Sequence, residues 1–434
     1  MKEYIVDLHL HSKYSRAVSK DMNLEEMSFW GEKKGIDILS CADFTHPTWF
    51  TELKSKLKQQ KNGLYKLKNS INITHFILST ELSCIYSQDG QVRRIHLVVT
   101  MPNLNAVAKF NKLLIDNGGK LKSDGRPILG MSAEKITELA KIANKNSMVF
   151  PAHIWTPWFA MFGSKSGFDN AKQCFGKQYK HIHAIETGLS SDPAMNWQIS
   201  QLDHMQIISS SDAHSARKIG REATVLKLKE LTYNNIQQAI ENPTQKNKIS
   251  YTIELYPEEG MYYYDGHRNC KLRLSPTETK KYNSVCPKCK KKITVGVMNR
   301  VDKLADKPFN INPTDPPAKQ AEAYEALRAG RPPFKSIIPL QEIIANAFGV
   351  GPTSKRVQTE YENIIRNIGP EFEILLHTSR EKLEQATDKL IAEGIMRVRK
   401  GKLHILPGYD GEFGTVNVFT NKERDKAKKD RQIK

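Results

Sequence analysis

Short apolar blocks alternate with amphipathic stretches along the first half of the chain. Tyr4–His9, Ile36–Cys41, Phe76–Leu82, Ile95–Thr100, Met148–His153, Ile182–Glu186 and Met205–Ser209 are apolar runs of strand length. Between several of them lie helical patterns. In Ser132–Asn144, for example, Ile136, Leu139, Ala140 and Ala143 share one helical face. Strands alternating with helices predict a parallel α/β unit reaching to about residue 230. No internal repeat appears, and neither a GxGxxG nor a P-loop pattern occurs, which argues against a nucleotide-binding sheet.

The pattern then changes. YTIELYPEEGMYYYDG, residues 251–266, reads as a β segment entering a small module that holds most of the remaining cysteines. After Val301 the Pro-rich KPFNINPTDPPAKQ predicts a linker. From about Lys335 to Lys400 the periodicity is helical, in PLQEIIANAF, SKRVQTEYENIIRNI and SREKLEQATDKLIAEGI. A β-like piece, MRVRKGKLHILPGYDG, follows, and the charged tail from Asn421 to Lys434 is expected to be disordered.

Nearly every predicted strand ends in a side chain able to bind metal. His9 and His11 close the first, Asp43 follows the second, and Glu81 ends the third. His96 lies on the fourth, His153 and Glu186 end the fifth and sixth, and Asp212 and His214 follow the last. In a barrel of strands and helices, the carboxyl ends of the strands converge on one mouth, which would gather these scattered groups. His9-x-His11 and Asp212-x-His214 each place two donors on one face of an extended segment. Imidazoles and carboxylates in this number suit a two-metal site, with a carboxylate as the natural bridge.

A second constellation lies further along. His267-x2-Cys270 and Cys286-x2-Cys289 supply four donors for one tetrahedral zinc. Cys41, Cys84 and Cys174 have no such context and are expected to be buried and inert.

Charge adds a partner. The 434 residues carry 66 Lys+Arg against 47 Asp+Glu, a net +19. Residues 267–303 hold eleven basic and two acidic residues, so nearly half of the excess sits on the zinc module. A basic knob with Tyr262, Tyr263 and Tyr264 at its entrance suits phosphate contacts and base stacking. Hydrophobic content of 39% suffices for packed cores, and six unevenly spaced cysteines make no disulfide framework. No apolar run is long enough to span a membrane, and MKEYIVDLHLHSKYS does not read as a signal peptide. The expected location is the cytoplasm, at the nucleoid in a bacterium.

VDLHLHSKYS, CADFTHP, STELS, RRIHLVV, PAHIW and SSSDAHS resemble the successive motifs of PHP-domain phosphoesterases. The resemblance covers about the first 230 residues and implies a distorted (β/α)7 barrel with bound divalent metals. It implies that His9, His11, Glu81 and Asp212 hold one ion. Glu81, as bridge, holds the second with His96 and His153. Trinuclear members carry further histidines where this chain has Ala17 and Phe44, which leaves His214 alone for a weak third site. Asp43, His46 and Glu186 are expected behind the ligands or against substrate, with His46 also open as a ligand.

Along essentially its whole length the chain is similar to the endonuclease Q family, through MYYYDGHRNC, CPKC, TVGVMNRV, PPFKSIIPLQEII and GKLHILPGYDGEFG. That resemblance implies a metal-dependent endodeoxyribonuclease acting in DNA repair on double- or single-stranded DNA. It implies nicking 5′ to deoxyuridine, deoxyinosine, xanthine or an abasic site. A metal-activated hydroxide would attack, leaving 3′-hydroxyl and 5′-phosphate ends, with Glu81, Asp212 and His214 as the catalytic groups. The cofactors implied are two divalent ions (Zn, Mn or Mg) in the barrel and one structural Zn.

The organisation expected is a PHP barrel over 1–230, a zinc module over 231–303 with its knuckles at 267–289, and a linker over 304–334. A mainly helical domain over 335–416 and a basic disordered tail over 417–434 follow. Candidate DNA or base contacts are Lys13, Arg16, Trp155, Trp158, Phe159, Ser190, Ser191, Asn196, Arg217, Arg221 and Tyr263. A sliding clamp is a further partner that the sequence leaves open. Two other functions remain open at this point: a PHP-type small-molecule phosphatase, and a non-catalytic zinc-dependent DNA-binding scaffold.

Overall fold

The computed structural model describes residues 1–307 and 317–432. Each of the seven apolar runs contains a strand: Lys2–Asp7, Ile38–Ser40, His75–Gln88, Gln91–Met101, Met148–Pro151, Ala184–Glu186 and Gln206–Ile208. The first five belong to one eleven-stranded sheet, and the last two pair with each other in parallel. The predicted helix is found at Ala133–Ala143, where the Ser132 side chain accepts the Lys135 N–H as N-cap.

The sheet is mixed rather than parallel. Lys2–Asp7, Ile38–Ser40 and His75–Gln88 run parallel, but Lys2–Asp7 also pairs antiparallel with Ala223–Leu228. His75–Gln88 and Gln91–Met101 form a long hairpin closed by Asp89-Gly90. Both loop residues have positive φ, 53° and 72°, the backbone of a tight two-residue hairpin turn. Such a turn is available to Asp-Gly, so the chain folds straight back instead of crossing over through a helix.

The hydrogen-bonded ladder follows an open path among the described residues, so no closed ring of strands is traced. One buried apolar cluster nevertheless draws on the strands of both sheets, through Val6, Ile38, Ile77, Val98, Phe150, Ala184, Ile208 and Leu226. A parallel bridge between Leu10 and Ala213 joins the segments that follow the first and last of the seven strands. No helix among the described residues is long and apolar enough to cross a membrane.

Several expected boundaries move. The helix Tyr233–Glu241 and the strand Lys248–Glu254 pack on the main sheet, so the module that carries His267 and the three late cysteines starts after them. Its hairpin, Asp265–His267 with Leu272–Leu274, leads to the helix Val297–Leu304. There Arg300 donates to the carbonyls of Phe162 and Phe168, fastening the module to the loop that follows the strand Met148–Pro151. Part of the expected linker, 308–316, lies outside the described residues. Its remainder is ordered, as the helix Pro317–Arg328 and the strand Phe334–Ser336 paired with Lys248–Glu254.

Five helices between Leu340 and Arg399 form the C-terminal domain. Glu371 ties it to the first helix, Leu24–Lys34: its carboxylate meets Lys34 Nζ at 2.8 Å with both side chains 3% exposed. The same carboxylate accepts from Tyr361 Oη and the Leu340 N–H, so both of its oxygens are hydrogen-bonded. The tail is helical over Asn421–Gln432 rather than disordered. Glu423 anchors its start by accepting from Thr420 and pairing with Arg397 and His404, which offsets the missing apolar face.

Candidate metal centre

Hairpin register places the central carboxylate. Ser83 lies opposite His96 and Glu81 opposite Val98, so Glu81 and His96 are diagonal neighbours on one face. His96 Nδ1 is 2.7 Å from Glu81 Oε1. His153 follows the strand Met148–Pro151, and its Nε2 reaches the same oxygen at 3.1 Å. The other oxygen, Oε2, faces His11 Nε2 at 3.2 Å and His9 Nε2 at 3.6 Å. Asp212 Oδ1 completes that side, 2.9 Å from His11 Nε2 and 3.6 Å from His9 Nε2.

Two donor groups result, His9–His11–Glu81–Asp212 and Glu81–His96–His153, each with its donor atoms within 4.8 Å of one another. Glu81 belongs to both, with one oxygen turned to each. His9 Nε2 is buried and makes no hydrogen bond, an arrangement that costs free energy unless a cation sits against it. These residues therefore fit two divalent ions sharing one carboxylate.

Backbone geometry around the site is unusual. Asp43, His153 and Asp212 all adopt positive φ, at 36°, 31° and 46°, a conformation that non-glycine residues hold only where their surroundings impose it. Gly188, itself at φ 64°, lies so close to His153 that an added Cβ would fall 2.3 Å from the His153 Cβ.

Electrostatics follow from burial and pairing. Burial opposes charge on His9 and His11, yet the surrounding carboxylates outweigh it and raise both well above the ordinary histidine value. For His96 burial wins over the pull of Glu81, and its value is pushed down to about 4. Burial also opposes ionisation of Glu81 and Asp212, but the neighbouring cationic groups hold both carboxyls below their usual range.

A ring of acceptors orients the imidazoles. Glu186, fully buried, takes His9 Nδ1 at 3.0 Å and the His153 N–H at 3.0 Å. Asp43 Oδ1 lies 3.4 Å from His11 Nδ1. Its other oxygen accepts from the Ser12 N–H, Ser12 Oγ and Ser15 Oγ. Both carboxylates thus stand behind histidines of the donor groups, Glu186 through a hydrogen bond and Asp43 through a charge contact alone.

Other expected residues sit elsewhere. His46 joins neither donor group: it caps the helix Pro47–Lys56 and stacks on Tyr14 at 4.5 Å. His214 also lies outside both groups, its ring 4.5 Å from His11 and its Nδ1 2.8 Å from the Asp212 carbonyl. Trp155, Ser191 and Asn196 are interior rather than open to a base. Trp155 Nε1 donates to Asn196 Oδ1, and Asn196 Nδ2 donates to Ser191 Oγ, because a buried indole N–H needs an acceptor. Tyr263 is likewise buried, stacked on Tyr264. Arg221 donates to the carbonyls of Ser211 and Asp212, so it holds the last motif in place.

Several candidates do remain open. Trp158 is 37% exposed and meets Tyr262 edge-on, while Phe159 covers the His96 ring at 4.8 Å. Arg16 and Arg217 are exposed, Ser190 is half-buried, and Lys13 pairs with Glu52. One residue escaped sequence reasoning altogether: Arg126, whose Nη1 is 3.0 Å from Glu81 Oε2. It lies in a loop between predicted elements, far along the chain from Glu81, and nothing in the local pattern marks it.

In the zinc module His267, Cys270, Cys286 and Cys289 converge as a third donor group, with Cys289 Sγ 3.5 Å from His267 Nδ1. Cys41, Cys84 and Cys174 are buried, and burial raises the thiol value of each.

Residues 339–402 match the family model of the MJ0043 C-terminal domain. The chain is 32% identical over 290 residues to protein MJ0043 of Methanocaldococcus jannaschii, covering 64% of this chain but only 34% of that relative's length. Protein YqxK of Bacillus subtilis is 28% identical over 434 residues, 96% of this chain and all of that one. The fold superposes on the lesion-specific endonuclease PfuEndoQ of Pyrococcus furiosus with a TM-score of 0.81, at 29% identity, over 96% of this chain and 95% of that one. An endonuclease Q in complex with a 27-mer duplex carrying an abasic lesion at the active site gives the same TM-score, at 28% identity over 97% and 98% of the two chains. The likeness thus runs along nearly the whole chain, and what the chain is similar to throughout is the endonuclease Q family.

Proposed function

We propose that this chain is a metal-dependent DNA repair endonuclease that nicks the phosphodiester 5′ to a deaminated base or an abasic site. The products are a 3′-hydroxyl and a 5′-phosphate. The observation that carries this reading is the pair of donor groups joined by Glu81. Its setting, a chain similar from end to end to an endonuclease held on an abasic duplex, supports DNA as the substrate. The apolar cluster shared by all seven predicted strands supports a PHP-type distorted barrel as the scaffold.

His9, His11, Glu81 and Asp212 would hold one ion, and Glu81, His96 and His153 the other. Bound divalent ions supply Lewis acidity toward phosphoryl oxygens and acidify a water toward neutral pH. The chain's own part is positioning. Glu186 fixes the ring of His9, Asp43 lends its charge to His11, and Arg221 braces the backbone of Asp212. Phe159 packs over the His96 ring and shields that side of the site. Trp158 offers the exposed aromatic face there on which a displaced base would stack. The zinc module and its lysines would grip the duplex backbone.

The test uses a labelled duplex with one abasic site or deoxyuridine, incubated with Mn²⁺, Mg²⁺ or Zn²⁺. Wild type should give a single product ending in a 3′-hydroxyl on the 5′ side of the lesion, and Asp212→Asn should give none. A wild type without nicking activity, or an Asp212→Asn variant that nicks equally well, overturns the reading.

A further inference from the structure

The loop between the helix Leu104–Asp116 and the short strand Ile128–Leu129 closes over the metal centre. Its backbone is held at several points. The Gly125 N–H donates to the Tyr14 carbonyl, and the Ser83 N–H donates to that of Pro127. Asp124 accepts the backbone N–H groups of both Arg16 and Arg126. Gly125 is pressed so closely against Asp43 and Ser15 that an added Cβ would fall 2.4 Å from an oxygen of each, so no larger residue fits. The loop is thereby fixed to the His9-x-His11 segment.

What this rigid loop delivers is the guanidinium of Arg126. One nitrogen, Nη1, contacts Glu81 Oε2, the oxygen that faces His9 and His11. No other hydrogen bond of this guanidinium is formed among the described residues. The side chain is 25% exposed, so it is not sealed in the interior. A guanidinium carries five N–H donors in a planar fork that matches two oxygens of a phosphate. Arg126 spends one of them on the carboxylate shared by both donor groups.

We infer that Arg126 is the protein's phosphate-binding residue at the reacting centre, holding a non-bridging oxygen of the scissile phosphodiester beside Glu81. This inference rests on the nuclease reading for the identity of its substrate, but the site it describes is for a tetrahedral phosphorus oxyanion in general. A fixed cation aimed at the charge that grows on phosphoryl oxygens acts most strongly in the transition state. Fixing the loop while leaving the fork partly unspent is what such a role requires. Lys122 of the same loop is exposed, and so is Arg16, whose guanidinium pairs with Asp124 of the loop.

The experiment compares the metal-loaded full chain with Arg126→Ala and Arg126→Lys. Three quantities are read: metal content by elemental analysis, affinity for inorganic phosphate by calorimetry, and single-turnover nicking of an abasic duplex. Arg126→Ala should keep its metals, bind phosphate at least about tenfold more weakly, and nick about 10²–10³-fold more slowly. Arg126→Lys, which keeps the charge without the fork, should recover only part of either loss. Unchanged phosphate affinity in Arg126→Ala overturns the inference. So does a loss of metal matching that of Glu81→Gln, which would make Arg126 a prop for the carboxylate. If wild type nicks no lesion while phosphate binding still depends on Arg126, the nuclease reading falls and the anion site stands.

Discussion

Glu186 accepts from His9 Nδ1 with both oxygens, at 3.0 and 3.2 Å, and this pairing determines which nitrogen of His9 faces the metal centre. With Nδ1 engaged, Nε2 is left toward Glu81 and Asp212, buried and without a hydrogen bond. The carboxylate also accepts the His153 N–H, so one side chain orders a ligand from each donor group.

Glu186→Gln keeps the volume and one acceptor oxygen but removes the charge. Metal affinity should fall by about 10–100-fold, as is usual when an outer carboxylate behind a ligand histidine is lost. Competition against a chromogenic chelator measures this, and the melting curve of the metal-free protein should change little. A variant with wild-type metal affinity would show that Glu186 only fills space.

Beneath the site, Glu254 and Glu222 share the hydroxyl of Ser209. Ser209 Oγ lies 2.9 Å from Glu254 Oε2 and 3.3 Å from Glu222 Oε2. Two buried carboxylates brought together on one hydroxyl repel each other when both are ionised, which favours holding a proton between them. Burial pushes Glu254 from its ordinary 4.5 up to about 8, and burial with the charge of Glu254 raises Glu222 well above its usual value. The sign follows from proton binding. Between about pH 4.5 and pH 8 the folded chain holds a proton that the unfolded chain releases, so stability falls as pH rises through that window. Glu254→Gln should flatten this slope, measured as denaturant midpoints across the same range. An equally steep decline in the variant would mean that the pair does not hold the proton.

Cys286 is buried within the knuckle, where its carbonyl accepts the Lys290 N–H and its own N–H donates to the Lys291 carbonyl. Substituting this thiolate should release one zinc per chain, since a small tetrahedral site folds with its metal. Cys286→Ser should therefore become sensitive to protease between the hairpin Asp265–His267 and the helix Val297–Leu304. The barrel metals should stay bound, because the two sites share no ligand. Loss of all metals together would indicate a coupled site instead.

Much of this arrangement is legible in the sequence, and the part that is not has identifiable causes. His9, His11, Glu81, His96, His153 and Asp212 each occupy a place that strand periodicity and motif order mark in advance. Glu186 and Asp43 also end strands, and the fold brings them beside His9 and His11. Arg126 is invisible, since a loop residue acquires its role only when tertiary contacts clamp the loop. The parallel unit expected from alternating patterns yields to a hairpin at Asp89-Gly90, where turn chemistry outweighs the average pattern. Trp155 and Asn196 look like readers of a base because a linear sequence does not reveal that they satisfy each other inside the protein. The tail is misjudged for a similar reason: Glu423 finds Arg397 and His404 only in the folded chain.

The charge on the zinc module makes a quantitative prediction. Lys290, Lys291 and Lys292 are consecutive and exposed, and no carboxylate among the described residues pairs with them. Lys288 differs, because its Nζ donates to the Cys270 carbonyl and so supports the knuckle. If the three exposed lysines contact phosphates, each releases condensed counterions from the duplex on binding. The slope of log affinity against log salt should then become shallower by about 0.9 for every contact removed. The triple alanine variant should thus lose between about one and about three units of slope on any duplex, lesion-bearing or not. Because phosphates carry no sequence information, the preference for the lesion over intact DNA should stay as in wild type. Titrations at several salt concentrations on matched duplexes measure both quantities. An unchanged slope would show that the lysines serve only solubility, and a changed lesion preference would move the module from gripping the backbone to reading the damaged base.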